Sequence, residues 1–156
     1  MTYLYLKYLH VIAAVFLFGF GMGSYLYLIA AQRTRNPVVI ASVAQMVVRF
    51  DTWITTPAGV LQLATGLGML HLTGLSIAQP WLRDALIVFV AVGLLWLPVL
   101  VLQKRMQSLA EHAAERGLAL PSNWNRLYRP WLWMGVAGFA GMFVIVLLMV
   151  TKQGLF

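Results

Sequence analysis

The stretch Val11–Gln32 reads VIAAVFLFGFGMGSYLYLIAAQ and contains no Asp, Glu, Lys or Arg. About 20 apolar residues in a helix are enough to cross the hydrocarbon core of a bilayer. Three later stretches share this property: residues 52–82, 85–103 and 130–151. Because the chain has 156 residues, of which 62% are hydrophobic and 10% are charged, four such stretches leave almost no room for a soluble domain. The sequence therefore predicts a polytopic membrane protein.

These stretches predict a single all-α domain, residues 1–156, folded as an antiparallel bundle of four transmembrane helices. The predicted spans are about 3–31, 51–72, 81–103 and 130–151. Residues 104–117 continue the third span with a polar helical pattern, which predicts a cytoplasmic helical extension that ends at Gly117. Pro98 removes a backbone donor inside the third span and predicts a kink there.

The basic residues indicate how the bundle is oriented in the membrane. Eight of the 11 Lys and Arg residues lie in the connections after the first and third spans: Arg33, Arg35, Arg49, Lys104, Arg105, Arg116, Arg126 and Arg129. Basic residues are enriched in cytoplasmic connections, so both connections are predicted to be cytoplasmic and both termini external. The net charge of +7 is spread between the spans, which disfavours nucleic acid as a partner. We predict a multi-pass protein of the bacterial inner membrane, embedded in the lipid bilayer.

Two ionisable residues, Lys7 and His10, lie inside the first predicted span. His10 shares a face with small and polar residues such as Ala14, Gly21 and Ser24. An ionisable side chain within a span is costly and often functional, so His10 is the first candidate for a haem ligand, a quinone contact or a proton relay. A neutral histidine that is hydrogen-bonded to a neighbouring helix is the alternative. Lys7 is near enough to the external surface to reach water or lipid phosphate, and a contact with a haem propionate is its alternative role.

Two residues of the second span are candidates for a second axial ligand of a haem iron held by His10. The first span begins, and the second ends, on the same side of the predicted bundle, which places His71 in the same half as His10. His71 is expected to lie more than one turn nearer the surface, and Met69 is the deeper alternative. The chain has no cysteine, which excludes thiolate ligation, disulfides and iron–sulfur clusters.

Two pairs of opposite charge lie near predicted span ends. Arg49 and Asp51 flank the cytoplasmic start of the second span, and Arg83 and Asp84 lie at the external start of the third. In each case we predict an interfacial ion pair or a phospholipid contact.

Two segments resemble HemJ-type protoporphyrinogen oxidases. The segment YLYLKYLHVIAAV, residues 3–15, is similar to the Leu-Lys-x-Leu-His pattern of their first helix, and TTPAGVLQLATGLGML, residues 55–70, is similar to their second helix. Over nearly its full length the chain more closely resembles a bacterial family of integral membrane proteins known as a domain of unknown function. The segments that carry this likeness include PWLRDAL, LLWLPVLVLQKRM and RPWLWMGVAGFAGM. That family is similar to HemJ and to the membrane domain of the copper exporter CopD.

The HemJ resemblance implies a b-type haem whose iron is bound by His10. The third helix of HemJ opens with Trp-Leu-His-x-Lys, whereas this chain reads Trp-Leu-Arg-Asp-Ala over residues 81–85. Since the histidine and the lysine are both missing, the resemblance supports haem binding more than it supports protoporphyrinogen oxidation.

Three functions are compatible with these observations. The first is a haem b-binding redox protein that exchanges electrons with a quinone or a respiratory-chain partner. The second is a non-catalytic subunit or assembly factor, whose polar rows are contacts in a homo- or hetero-oligomer. The third is a small-solute or copper transporter, although the eight methionines form no close Met-x-Met cluster. No nucleophile triad, phosphate loop or metal-ligand motif is found, and the sequence leaves open whether the protein is an enzyme.

Overall fold

The computed structural model describes residues 1–155, which form an all-α bundle. Its helical elements are α1 (Thr2–Arg33), α2 (Pro37–Phe50), a π-helical turn (Asp51–Thr55), α3 (Thr56–Thr73), α4 (Pro80–Glu115) and α5 (Trp124–Thr151). Because α2, the π turn and α3 run on without a break, Pro37–Thr73 is one long helix, and the bundle has four such helices. All four are long and apolar enough to cross a membrane, which confirms the predicted all-α, four-span fold.

The four long helices run in alternating directions. The connections from α1 to α2 and from α4 to α5 lie at one end of the bundle, which we call the loop end. Both termini lie at the opposite end, which we call the terminal end. At the terminal end the backbone N–H of Leu155 donates to Oδ2 of Asp84 at 2.7 Å. Asp84 also forms the predicted ion pair with Arg83, at 2.8 Å.

The main apolar core lies toward the loop end. There α2 and the extended half of α4 pack on each other, on α1 and on the start of α5. The core includes Leu28, Ala31, Ile40, Ala44, Val47, Val99, Met106, Ala110, Trp124 and Trp131. On their outer faces, α4 and α5 carry exposed apolar side chains such as Leu94, Trp133 and Val146. An apolar outer surface of this kind is what a bundle in lipid requires.

The break between α1 and α2 is determined by Asn36 and Pro37. The Oδ1 atom of Asn36 accepts a hydrogen bond from the backbone N–H of Val38 at 3.0 Å, which caps the new helix. Pro37 occupies the first helical turn, where its missing N–H is not needed.

The extension of α4 beyond the third predicted span ends at a glycine. Gly117 adopts φ +64°, a left-handed conformation that glycine adopts without a steric penalty. This conformation lets the N–H of Leu118 donate to the carbonyl of Ala113 at 2.9 Å, which satisfies an acceptor at the helix end. The helix itself ends at Glu115, two residues before this glycine, and the cytoplasmic location of the extension stays a prediction.

Polar groups of aromatic side chains hold α1 against α5. The indole N–H of Trp124 donates to Oε1 of Gln32 at 2.7 Å. The hydroxyl of Tyr25 donates to the carbonyl of Leu132 at 2.7 Å. These two directed hydrogen bonds fix the axial register of α5 against α1. They also place the Tyr25 ring in the interior of the bundle.

Candidate functional site

The second long helix changes from α to π geometry at Asp51–Thr55, and Pro57 accounts for the change. A proline inside a helix has no N–H to donate, and its ring clashes with the carbonyl four residues earlier, here that of Trp53. The wider turn relieves this clash, and the N–H of Thr56 bonds to the carbonyl of Asp51. The Thr56 hydroxyl donates to the same carbonyl at 2.7 Å. Such turns are frequent at functional sites, and this one carries a buried carboxyl.

Asp51 lies in the interior of the bundle, with an exposed fraction of 1%. Its Oδ1 atom accepts a hydrogen bond from the Thr55 hydroxyl at 3.0 Å, and its Oδ2 atom accepts one from Nε2 of Gln103 at 2.8 Å. Ser24, buried on α1, lies next to the same carboxyl. We call these four residues the carboxyl cluster. No Lys, Arg or His side chain in the described residues 1–155 forms an ion pair with Asp51.

A cavity of about 50 Å³ adjoins the carboxyl cluster. One water molecule needs about 10–15 Å³ of such space, so the cavity has room for a few waters. Asp51 and Gln103 form part of its wall. The aromatic residues of the wall are Tyr25, Trp96, Trp131 and Phe139. The glycines of the wall are Gly21, Gly135 and Gly138. The cavity therefore combines one carboxyl and one amide with aromatic and apolar surface.

Gln103 brings an unused hydrogen-bond acceptor to this site. The residue is 3% exposed, and its Nε2 group is committed to Asp51. Its Oε1 atom is buried without a hydrogen-bond partner among residues 1–155. A buried acceptor without a donor costs about 1–3 kcal/mol. Since Gln103 lines the cavity, a water or ligand in that space can supply the donor.

The structure corrects the prediction made for Arg49 and Asp51. Arg49 is exposed, whereas the Asp51 carboxyl is buried and bonded to Thr55 and Gln103, so the predicted interfacial ion pair is wrong. Residues two positions apart in a helix point in different directions, which is why these neighbours separate. The sequence did contain a signal for the site, because Asp51 extends by one turn the polar row that includes Thr55 and Gln62.

His10 belongs to a second polar cluster, between α1 and α3. Its Nδ1 atom lies 2.9 Å from Oγ1 of Thr65, and its Nε2 atom lies 2.9 Å from Nε2 of Gln62. The Thr65 hydroxyl donates to the carbonyl of Leu61 at 2.6 Å, so it accepts from Nδ1–H of His10. Gln62 then donates to the unprotonated Nε2 atom. We call His10, Gln62 and Thr65 the histidine cluster. A neutral imidazole makes one hydrogen bond at each ring nitrogen, whereas Oε1 of Gln62 is buried without a hydrogen-bond partner among residues 1–155.

The other residues predicted to bind haem do not meet the His10 ring. Lys7 and His71 are exposed, and Met69 is half-buried. The ring nitrogens of His10 face Thr65 and Gln62. The exposure of Lys7 is compatible with the predicted contact with water or lipid phosphate.

Binding of haem iron by His10 requires a free ring nitrogen. Both nitrogens are committed to side chains of α3, and Gly66 packs so closely that a Cβ at its position would lie 3.2 Å from Cε1 of His10. The residues around His10 therefore do not fit a haem as they are arranged. Haem binding through His10 stays a prediction of the sequence. It would require the ring to lose its hydrogen bond to Gln62 or to Thr65.

An absorption spectrum tests this point. Because both ring nitrogens are committed, we expect oxidised and reduced spectra of purified wild type and His10→Ala, produced with ample haem, to be the same. The Gln62→Leu variant is the informative companion, since it frees Nε2 of His10 without touching the ring. If the reduced wild type shows an absorption band of b-type haem and His10→Ala removes it, the ring has replaced one of its hydrogen bonds by a bond to iron.

These features define the class of this molecule: an integral, multi-pass membrane protein whose four-helix interior contains a carboxyl cluster and a histidine cluster. The family model DUF2269, described as a predicted integral membrane protein, matches residues 4–153, and the chain belongs to this family. The match confirms the family of unknown function that the sequence predicted. No curated protein and no solved structure matches the chain. The resemblance to HemJ and CopD stays a sequence prediction.

Proposed function

We propose that this protein moves protons across the membrane and that the carboxyl of Asp51 binds and releases them. This is the transporter alternative of the sequence, with the proton as the transported solute. The observation that carries the proposal is the burial of Asp51 beside a cavity of about 50 Å³, without an ion-pair partner in residues 1–155.

The surroundings of Asp51 support two states of its carboxyl. A buried carboxylate without a paired cation is costly, which favours uptake of a proton. The donors from Thr55 and Gln103 stabilise the ionised form, so the proton can also leave. A carboxyl whose protonated and ionised forms are close in free energy is suited to repeated binding and release of a proton. Water in the cavity offers the proton a route to and from the carboxyl.

The histidine cluster provides polar groups in the other half of the bundle. Ser24 and His10 lie 14 positions apart on α1, which corresponds to about 20 Å along the helix axis. Between them Leu17 packs against the second long helix, where a Cβ at Gly59 would lie 3.7 Å from Cδ2 of Leu17. Two polar clusters separated by packed apolar residues suit a carrier that admits protons from one side at a time, and they do not suit an open pore.

Proton flux into vesicles tests the proposal. We expect purified protein in liposomes containing a pH-sensitive dye to admit protons when a potassium gradient with valinomycin sets an inside-negative potential. Asp51→Asn preserves the shape of the side chain and removes the ionisable group, so we expect at least about a tenfold lower flux, as for loss of a positioned proton-transfer group.

The matched control for Asp51→Asn is Glu115→Gln. It makes the same carboxyl-to-amide change at an exposed position near the end of α4, and we expect wild-type flux. Infrared spectra add a direct readout, since the carbonyl band of a protonated Asp51 is absent from Asp51→Asn. A wild-type flux equal to that of empty vesicles, or one that Asp51→Asn leaves unchanged, would overturn the proposal.

A further inference from the structure

We propose that the cavity beside Asp51 binds a small organic cation with N–H donors, of the ammonium or guanidinium class, in exchange for the proton on Asp51. This inference rests on the proposed function, because it names a solute that competes with the proton for the same carboxyl.

The polar groups of the cavity wall form a set of acceptors. Asp51 accepts hydrogen bonds from Thr55 and Gln103 and lies beside the Ser24 hydroxyl. Because a carboxylate has about four acceptor positions, at least one stays open to a ligand. Oε1 of Gln103 is buried without a donor among residues 1–155. A ligand that presents several N–H groups and a positive charge satisfies these acceptors together. An anion or an acceptor-rich ligand would leave Gln103 Oε1 unpaired and would add charge repulsion.

The remaining wall favours an organic cation over a hydrated metal ion. Four aromatic residues line the cavity: Tyr25, Trp96, Trp131 and Phe139. Aromatic rings attract cations through the negative faces of their π systems, most strongly for tryptophan. A hard metal ion instead requires a shell of oxygen ligands, and most of this wall is apolar. A guanidinium group is weakly hydrated and stacks on aromatic rings, so it loses little on leaving water for such a site.

The size of the cavity limits the ligand. A space of about 50 Å³ admits a cation of a few non-hydrogen atoms, such as guanidinium or methylammonium. The room depends on Gly138, since a Cβ at this position would meet no atom within 4 Å. A side chain at Gly138 therefore begins in open space at its Cβ atom and extends into room that the ligand needs.

Cation and proton cannot occupy Asp51 together. The bound cation pairs with the ionised carboxylate, whereas the protonated carboxyl is neutral and offers no charge partner. When the cation binds, the proton leaves Asp51 for the solution, and when a proton returns the cation is released. One positive charge replaces another at each step, so a gradient of either can drive the other across the membrane. When no cation is present, the protonated and the empty carboxyl alternate, and the proton crosses alone.

Proton release on addition of guanidinium tests this exchange. Purified protein in detergent and weak buffer, at a pH at which the infrared carbonyl band shows Asp51 to be protonated, receives millimolar guanidinium chloride together with a pH indicator dye. We expect release that approaches one proton per bound cation in the wild type. Urea has nearly the shape of guanidinium without its charge and should release none. Tetramethylammonium has the charge without N–H donors, and we expect it to bind more weakly.

Three variants connect the effect to the cavity. Asp51→Asn should abolish proton release and weaken guanidinium binding by about 30-fold or more, as for loss of one partner of a buried charge pair. Gly138→Leu should prevent binding while Asp51 stays in place. Gly93→Leu is its matched control, because Gly93 is an exposed glycine of α4 with no atom within 4 Å of an added Cβ. We expect Gly93→Leu to bind guanidinium like the wild type.

The outcomes separate this inference from the proposed function. Asp51-dependent proton flux in vesicles, without proton release by guanidinium in detergent, would overturn the exchange and leave proton transport standing. Asp51-dependent guanidinium binding in a protein that does not move protons would overturn the proposed function and leave the binding site. Equal proton release by urea and guanidinium, or equal binding by wild type and Gly138→Leu, would remove the cavity as the site.

Discussion

Replacing Trp131 by alanine is expected to lower the free energy of unfolding by about 3–5 kcal/mol, which is the range for truncating a large buried aromatic residue. Trp131 is 1% exposed and is the largest fully buried side chain of the described chain. Its ring packs against those of Tyr25 and Tyr128, at centroid distances of 5.0 and 5.8 Å. Helices in lipid associate mainly through van der Waals packing of this kind, without a hydrophobic driving force between them. Loss of the contacts made by Trp131 therefore removes a main source of stability.

The same helix provides a matched control two residues further on. Trp133 is 68% exposed and faces away from the core, so Trp133→Ala is expected to change stability by no more than about 0.5 kcal/mol. Unfolding of both variants by increasing SDS in mixed micelles, followed by circular dichroism, measures the difference without relying on tryptophan emission. Equal losses in the two variants would mean that the described face of α5 is not the one that packs in the membrane.

The four-span bundle was predictable because apolar length is a strong signal. Each span contains a long run without charges, and a helix is the structure that satisfies its backbone bonds in lipid without a partner segment. The helix end at Gly117 was predictable for a similar reason, since few residues other than glycine adopt its positive φ easily. These features depend on local chemistry alone. The sidedness of the bundle depends on the membrane and stays a prediction.

The carboxyl cluster was missed because it joins Asp51 and Thr55 to residues of two distant helices, Ser24 on α1 and Gln103 on α4. Gln103 is 52 positions from Asp51 and appears in the sequence as the last uncharged residue before a basic segment. Asp51 itself is two positions after Arg49 at a predicted span end, and this location, not the spacing, led to the predicted ion pair. The π turn at Pro57 and the packing of α4 decide the direction of the carboxyl, and neither can be derived from residue spacing.

His10 illustrates a different limit. The sequence singled it out correctly as a polar residue on an interior-facing side of α1, but a histidine that links helices and a histidine that binds iron share that position. The two roles differ in the hydrogen-bond partners of the ring nitrogens, and here these partners are Thr65 and Gln62. That partner set comes from α3 and depends on the register between two helices, which a single sequence does not specify.

The glycines of α5 also have different roles although they share one face. A Cβ at Gly138 would meet no atom within 4 Å, whereas a Cβ at Gly135 would overlap the Tyr25 ring, with Cδ2 at 2.7 Å and Cζ at 2.9 Å. This ring cannot move aside easily. Its hydroxyl bonds to the carbonyl of Leu132, and its face packs on Trp131 and Phe139. Gly135 is therefore required by the packing, whereas Gly138 lines the open space of the cavity and is not.

Gly135→Ala is accordingly expected to destabilise the bundle by about 1–3 kcal/mol, the usual cost of overpacking. Gly138→Ala should instead be neutral or stabilising by up to about 1 kcal/mol, because alanine is the better helix former. The same SDS titration compares the two variants, each of which adds one methyl group, at positions three residues apart on α5. In a double-mutant cycle, Gly135→Ala and Tyr25→Leu together should cost less stability than the sum of the two single variants, since the clash is with the ring. A Gly135→Ala protein as stable as Gly138→Ala would show that Tyr25 does not pack against α5 at this point, and the aromatic wall proposed for the cation site would lose one of its members.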